Sequence, residues 1–211
     1  RVTTLAVYVT SSSLQRVDFA CEVCEQPRFF EWNLMQHDRL PEFCVDLDGV
    51  LCCDPTDTEN DDGLAYTDFL RDAEPRFIPT RPVGSIVTCR LEKYRDATEA
   101  WLAQHGVSYG ELVMMDLPDK QAREASGSHA AFKAAAYSRS DSCLFVESSW
   151  TQAQAIARIS GKPVISLEQQ AVAQPNVASQ WRRVLQRTRQ RPREVLLKPY
   201  VQLQRKLQRF V

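Results

Sequence analysis

No stretch of this 211-residue chain approaches the run of about 18 apolar residues that a membrane-spanning helix needs, so no such helix is expected. No basic stretch followed by an apolar one opens the chain, so no secretory signal is visible. It begins Arg1-Val2-Thr3 without a Met, which reads as a fragment or a trimmed chain. A partner for Cys21-Glu22-Val23-Cys24 is also lacking: no second CxxC and no HxxxH pair completes four zinc ligands. The seven cysteines are odd in number, and Cys44 and Cys143 sit in the apolar runs Phe43-Cys44-Val45 and Ser142-Cys143-Leu144, where Cys behaves as a small hydrophobe. Free thiols in a reducing compartment, the cytoplasm, are the expectation. His37, His105 and His129 have no metal-ligand spacing and read as surface or satisfied core histidines. Internal repeats are absent.

What is present is globular. An apolar fraction of 44% with 25% charged residues excludes wholesale disorder. At roughly 100–200 residues per domain, the length allows one ordinary domain with appendages, or two very small ones. The net charge of −1 conceals an asymmetry. Residues 175–211 carry ten basic side chains against the single acid Glu194, leaving sixteen basic and twenty-six acidic groups on the rest: an acidic globule with a basic tail.

Short apolar runs at 43–47, 84–88, 111–115, 143–147 and 163–167 read as strands covered on both faces. Helical stretches at 91–105, 128–138 and 150–160 alternate with them, the first stopping at Gly106 and the last at Gly161. The pattern predicts an α/β fold with a doubly wound, parallel, five-stranded sheet. Three units follow: an N-terminal segment 1–42 with a strand-like run at 5–9, a central domain 43–168, and a polar linker with a basic C-terminal stretch, 169–211. Residues 53–83, with four prolines and an acidic run, read as a long loop or small insertion.

The chemistry concentrates at Phe43-Cys44-Val45-Asp46-Leu47-Asp48-Gly49-Val50. An apolar strand ends in two carboxylates two residues apart, projecting from one side, and the chain then turns on a glycine. In open α/β sheets ligands bind beyond the carboxyl ends of the strands. Two acids there can hold a hard cation such as Mg²⁺ and leave room for a phosphate. The bland alternative is a strand-end Asx turn.

Asp46-Leu47-Asp48-Gly49-Val50 resembles the DxDG[TV] nucleophile motif of the haloacid dehalogenase-like (HAD) phosphohydrolases, and three further strand-linked residues follow in that family's order. Ser85-Ile86-Val87-Thr88 resembles its second motif, with Cys89 and Arg90 beside Thr88 as substrate-binding candidates. Lys133, preferred over Lys120, matches its lysine, and Leu144-Phe145-Val146-Glu147 matches its last acid. The resemblance implies that Asp46 attacks phosphorus to form an aspartyl-phosphate and that Asp48 is the acid and base. It further implies that Thr88 and Lys133 hold the phosphoryl group. Mg²⁺ would lie among the Asp46 carboxylate, the Asp48 main-chain oxygen and Glu147. The family's last motif usually carries aspartates, whereas here Glu147 precedes Ser148 and Ser149.

The segments Asp54-Pro55-Thr56, 88–95 and 115–120 also resemble HAD domains that follow a phosphoribosyltransferase domain, with residues 1–30 like that transferase's last strand and tail. The transferase's diphosphate-binding signature is missing, so the chain by itself is not expected to transfer phosphoribosyl groups. This resemblance implies a nucleotide or phosphosugar substrate, or a catalytically weak domain regulating or scaffolding an attached transferase. Only 42 residues separate Asp46 from Thr88, room for a minimal cap. In the tail, Leu196, Tyr200, Leu203, Leu207 and Phe210 form one helical face suited to a partner, an anionic membrane surface or the chain's own acidic domain. No specific nucleic-acid binding is expected: aromatics do not interleave the arginines at 182–193, and the acidic run at 54–62 repels polyanions.

Overall fold

The computed structural model describes residues 2–24, 31–127 and 129–175, the side chains of residues 31 and 32 excepted. The helical face at 196–210 therefore lies outside the described residues. The chain enters through Leu5–Val9 (β1) and Phe19–Val23 (β2), which pair in parallel across a 3-10 turn at Ser11–Arg16. Leu5, Val7, Phe19 and Val23 remain exposed.

Six further strands form the main sheet: Phe43–Val45 (β3), Val83–Leu91 (β4), Tyr109–Met115 (β5), Leu144–Glu147 (β6), Val164–Ser166 (β7) and Ala171–Ala173 (β8). Their spatial order is β5-β4-β3-β6-β7-β8. The five expected strands are all present and parallel, and β8 adds an antiparallel sixth. Within the stretch expected as a polar linker from residue 169, Ala171–Ala173 thus adds a strand to the sheet. Strand β4 also continues three residues past Thr88.

The helices are Leu64–Asp72 (α1), Arg95–Gln104 (α2), Lys120–Ala125 (α3), His129–Arg139 (α4) and Trp150–Ser160 (α5). Successive strand residues point to opposite faces, and both faces are covered. Phe43, Val45, Ile86 and Val146 share one buried cluster with Tyr66, Leu70 and Trp101 of α1 and α2. Cys44, Val87, Phe145 and Val164 share the other with Ala134, Tyr137, Ala153 and Ile156 of α4 and α5. Each large apolar side chain so buried contributes roughly 1.5–3 kcal/mol before entropy is set against it. The small residues Ala134, Ala153 and Ala157 let α4 and α5 approach closely. Helix α5 begins at Ser149, whose side chain accepts from the Gln152 N–H, and ends at Gly161 in the left-handed conformation (φ 62°).

Helix α1 lies within the 53–83 stretch, expected as a long loop or small insertion. Its buried Tyr66, Phe69 and Leu70 have helical spacing, but prolines and acids on both sides obscure it in the sequence. No helix among the described residues is long and apolar enough to cross a membrane.

The spatial order reverses between β3 and β6. From β3 the chain runs outward through β4 and β5, then returns to β6 on the other side. The carboxyl ends of those two strands flank a crevice, the usual position for a ligand in such sheets.

Candidate active site

Asp46 stands one residue past β3 and remains tied to β6, its N–H donating to the Val146 carbonyl at 2.9 Å. Its side chain is 6% exposed. Oδ1 accepts from the Leu47 N–H at 2.9 Å, and Oδ2 accepts from Lys133 Nζ, carried in by α4, at 2.7 Å. The same ammonium donates to Glu147 Oε2 at 2.9 Å and to Gln152 Oε1 at 3.2 Å, so its three protons meet three acceptors. Glu147, at the end of β6, is 0% exposed, and its Oε1 accepts from Ser148 Oγ and the Ser149 N–H, both at 3.3 Å. Burial alone would lower the Lys133 pKa; the two carboxylates outweigh it and hold the ammonium above its ordinary range. With two acids to one base, burial, reinforced by Glu147, pushes the Asp46 carboxyl well above the usual carboxylate range despite Lys133.

Asp48 is partnered differently. After Leu47 the chain leaves the strand and winds tightly, the N–H groups of Val50, Leu51 and Cys52 all donating to the Leu47 carbonyl. Arg90 takes both Asp48 oxygens: Nη2 donates to Oδ1 at 2.6 Å, and Nε lies 3.1 Å from each oxygen. Gly49 has φ 78°, and a Cβ there would meet Ser148 Oγ at 2.6 Å and Asp54 Oδ2 at 2.8 Å. Only glycine lets this turn sit against the loop after β6 and beside Asp54.

A cavity of about 210 Å³ opens over these groups. Of the residues singled out in the sequence, Asp46, Asp48, Thr88, Cys89 and Lys133 line it. Thr88 is fully buried, its Oγ1 accepting from the Arg90 N–H at 3.1 Å. Burial pushes the Cys89 thiol up to about 12, which keeps it protonated. Arg90, expected as a substrate-binding candidate, is not on the cavity wall: at 1% exposure it lies beneath, its guanidinium on Asp48 and over the Phe69 ring. Glu147 likewise lies behind Lys133 rather than on the wall. Lys120 donates to the Asn60 carbonyl at 2.6 Å and so fixes a loop over the site.

The wall also holds residues that the sequence did not announce: Asp54, Asn60, Tyr66, Arg123, Ser148, Gln152 and His129. His129, expected as a surface or core histidine, is half-buried on this wall. Burial, with the charges of Arg123 and Lys133 behind it, holds its imidazole below the usual range. Asp54 belongs to the acidic run already noted, and burial beside Asp48 holds its carboxyl above the usual range.

Among the described residues no three His, Cys, Asp or Glu side chains are grouped to hold a metal ion. Magnesium does not require three: it binds through one or two carboxylates, keeps several waters and takes the rest from phosphate. Asp46 and Glu147 pair with Lys133, and Asp54, on the same wall, lies within the electrostatic reach of Lys133 and Arg76. Asp46, Asp48 and Asp54 put hard oxygen donors on the cavity wall, the type of ligand that magnesium takes. Compared with models of known families, with curated proteins and with solved structures, the chain gives no match.

Proposed function

We propose that this chain is a magnesium-dependent phosphomonoester hydrolase of the HAD type, acting through an aspartyl-phosphate on a small nucleotide or phosphosugar. Strands β3 to β7 are read as the five-stranded core of that fold, and the turn after Asp48 together with α1 as its minimal cap. One observation carries the reading: a buried lysine shared by Asp46 and Glu147 at the crevice between β3 and β6, with Asp48 and Thr88 on the same cavity.

In the proposed reaction an Asp46 oxygen attacks phosphorus as the bond to the leaving oxygen breaks. Lys133 offsets the charge of the carboxylate it touches, so an anionic nucleophile can approach an anionic group. The Thr88 hydroxyl positions a phosphoryl oxygen. Asp48 gives a proton to the leaving oxygen and later takes one from the water that attacks the phosphoenzyme. Because Arg90 engages both Asp48 oxygens, this step requires the carboxylate to turn from Arg90 toward the cavity, where its side chain is 20% exposed. A bound magnesium ion would be held by Asp46, the Asp48 main-chain oxygen and, once it leaves Lys133, Glu147, with Asp54 at the rim, and would supply charge neutralisation of the phosphate.

The Asp48–Arg90 lock also favours a second reading, a catalytically weak domain that regulates or scaffolds an attached phosphoribosyltransferase. Hydrolysis of p-nitrophenyl phosphate with and without Mg²⁺ separates the two. The hydrolase reading predicts metal-dependent turnover that falls on the order of 10⁴-fold in Asp46→Asn. A folded, Mg²⁺-saturated protein with no turnover supports the scaffold instead.

A further inference from the structure

One cation on the cavity wall is not used by the proposed chemistry. Arg123, on α3, is 8% exposed; its Nη2 donates to Asn60 Oδ1 at 3.0 Å, and its buried Nε has no hydrogen-bond partner. Among the described residues no carboxylate pairs with it. Lys133, in contrast, spends all three protons on Asp46, Glu147 and Gln152. A buried guanidinium with a vacant donor is costly unless an anion completes it, and the protein supplies none in this corner. Its neighbours on the wall are uncharged: burial pushes the Tyr66 hydroxyl up to about 12, and His129 is held toward its neutral form. Its acceptors are neutral, the Tyr66 hydroxyl and Asn60, and Asn60 is itself pinned by Lys120 through its carbonyl.

We infer that Arg123 receives a second anionic group of the substrate, so that the site takes small phosphomonoesters bearing a further oxyanion, a carboxylate or a second phosphate. The planar guanidinium fork suits either group. Arg123 lines the same cavity of about 210 Å³ as Asp46 and Thr88, so one ligand can meet both. The carboxylates of Asp46, Asp48 and Asp54 on the same wall would repel such a ligand, and Arg123 is the charge that offsets them.

The inference rests on the phosphatase reading for the group that is cleaved, but the Arg123 subsite is testable by binding alone. The experiment is calorimetric titration of the full chain in Mg²⁺ with 3-phosphonopropionate, ethylene-1,2-diphosphonate and ethylphosphonate, for wild type, Arg123→Gln and Arg123→Lys. In the wild type at least one of the first two ligands is expected to bind about tenfold or more tightly than ethylphosphonate, as one charge-assisted hydrogen bond allows; which one identifies the second anion. That preference is expected to fall to about twofold or less in Arg123→Gln and to survive in part in Arg123→Lys. Equal affinity for all three ligands in the wild type overturns the subsite, as does a preference that persists in Arg123→Gln. A clear preference without aryl phosphate turnover upholds the subsite and overturns the phosphatase. No binding of any phosphonate overturns both.

Discussion

Asp46 and Asp48 stand two residues apart and each meets a buried cation, yet the two pairs are built for different work. Lys133 is a point charge divided among two acids and an amide, and the cluster holds more acid than base. Such a group stays in place while leaving the carboxylate open to another electrophile or cation. Arg90 is a planar fork closed on one carboxylate, a charge-balanced pair that leaves Asp48 little freedom. The first pair is poised and the second is locked; a working hydrolase needs the lock to open.

Breaking the first pair has the larger effect. Lys133→Met leaves Asp46 and Glu147 buried without their common counter-charge, and a loss of about 3–5 kcal/mol in urea or thermal unfolding is expected, together with loss of turnover. Breaking the second costs less, because Asp48 is partly hydrated where Glu147 is not. Arg90→Met is expected to destabilise the chain by roughly 1–3 kcal/mol in the same measurement. If the lock restrains the acid step, the pH–rate profile of Arg90→Met differs from wild type while that of an exposed control such as Arg71→Met does not. Equal destabilisation by the two substitutions would remove the distinction between the pairs.

The smallest effect concerns the wall between them. His129 has a pKa below its unfolded value, so the unfolded chain binds its proton first as pH falls. This contribution to stability is therefore intact above the ordinary histidine pKa of about 6.5 and is lost as pH drops from there through the folded value. Urea unfolding between neutral and mildly acidic pH is expected to show a shallower loss of stability in His129→Gln than in wild type. An identical slope in both would show that the cavity does not hold the imidazole neutral.

The apolar runs made five strands legible because strands buried on both faces have no alternation to blur them. The grouping of Asp46, Lys133 and Glu147 was legible too, since each stands at or near a strand end or on the helix leading into one. The contact of Arg90 with Asp48 was not legible, because β4 does not stop at Thr88. Thr88 and Arg90 stand where the pairing of β4 with β5 shifts register, and both are buried, Arg90 against Asp48. Arg123 could not be seen at all: Lys120-Gln121-Ala122-Arg123-Glu124 reads as a solvated polar turn, and only the tertiary fold buries its arginine. Helix α1 was hidden by the prolines and acids around it, and β8 by its brevity and its polar surroundings.

The most direct test of the central claim is to acid-quench the protein during turnover of an aryl phosphate in Mg²⁺ and locate the phosphoryl group by peptide mass spectrometry. The account predicts a phosphoryl group on Asp46 that is absent from Asp46→Asn. Turnover with the phosphoryl group on another residue, or with no phosphoenzyme at all, would contradict it.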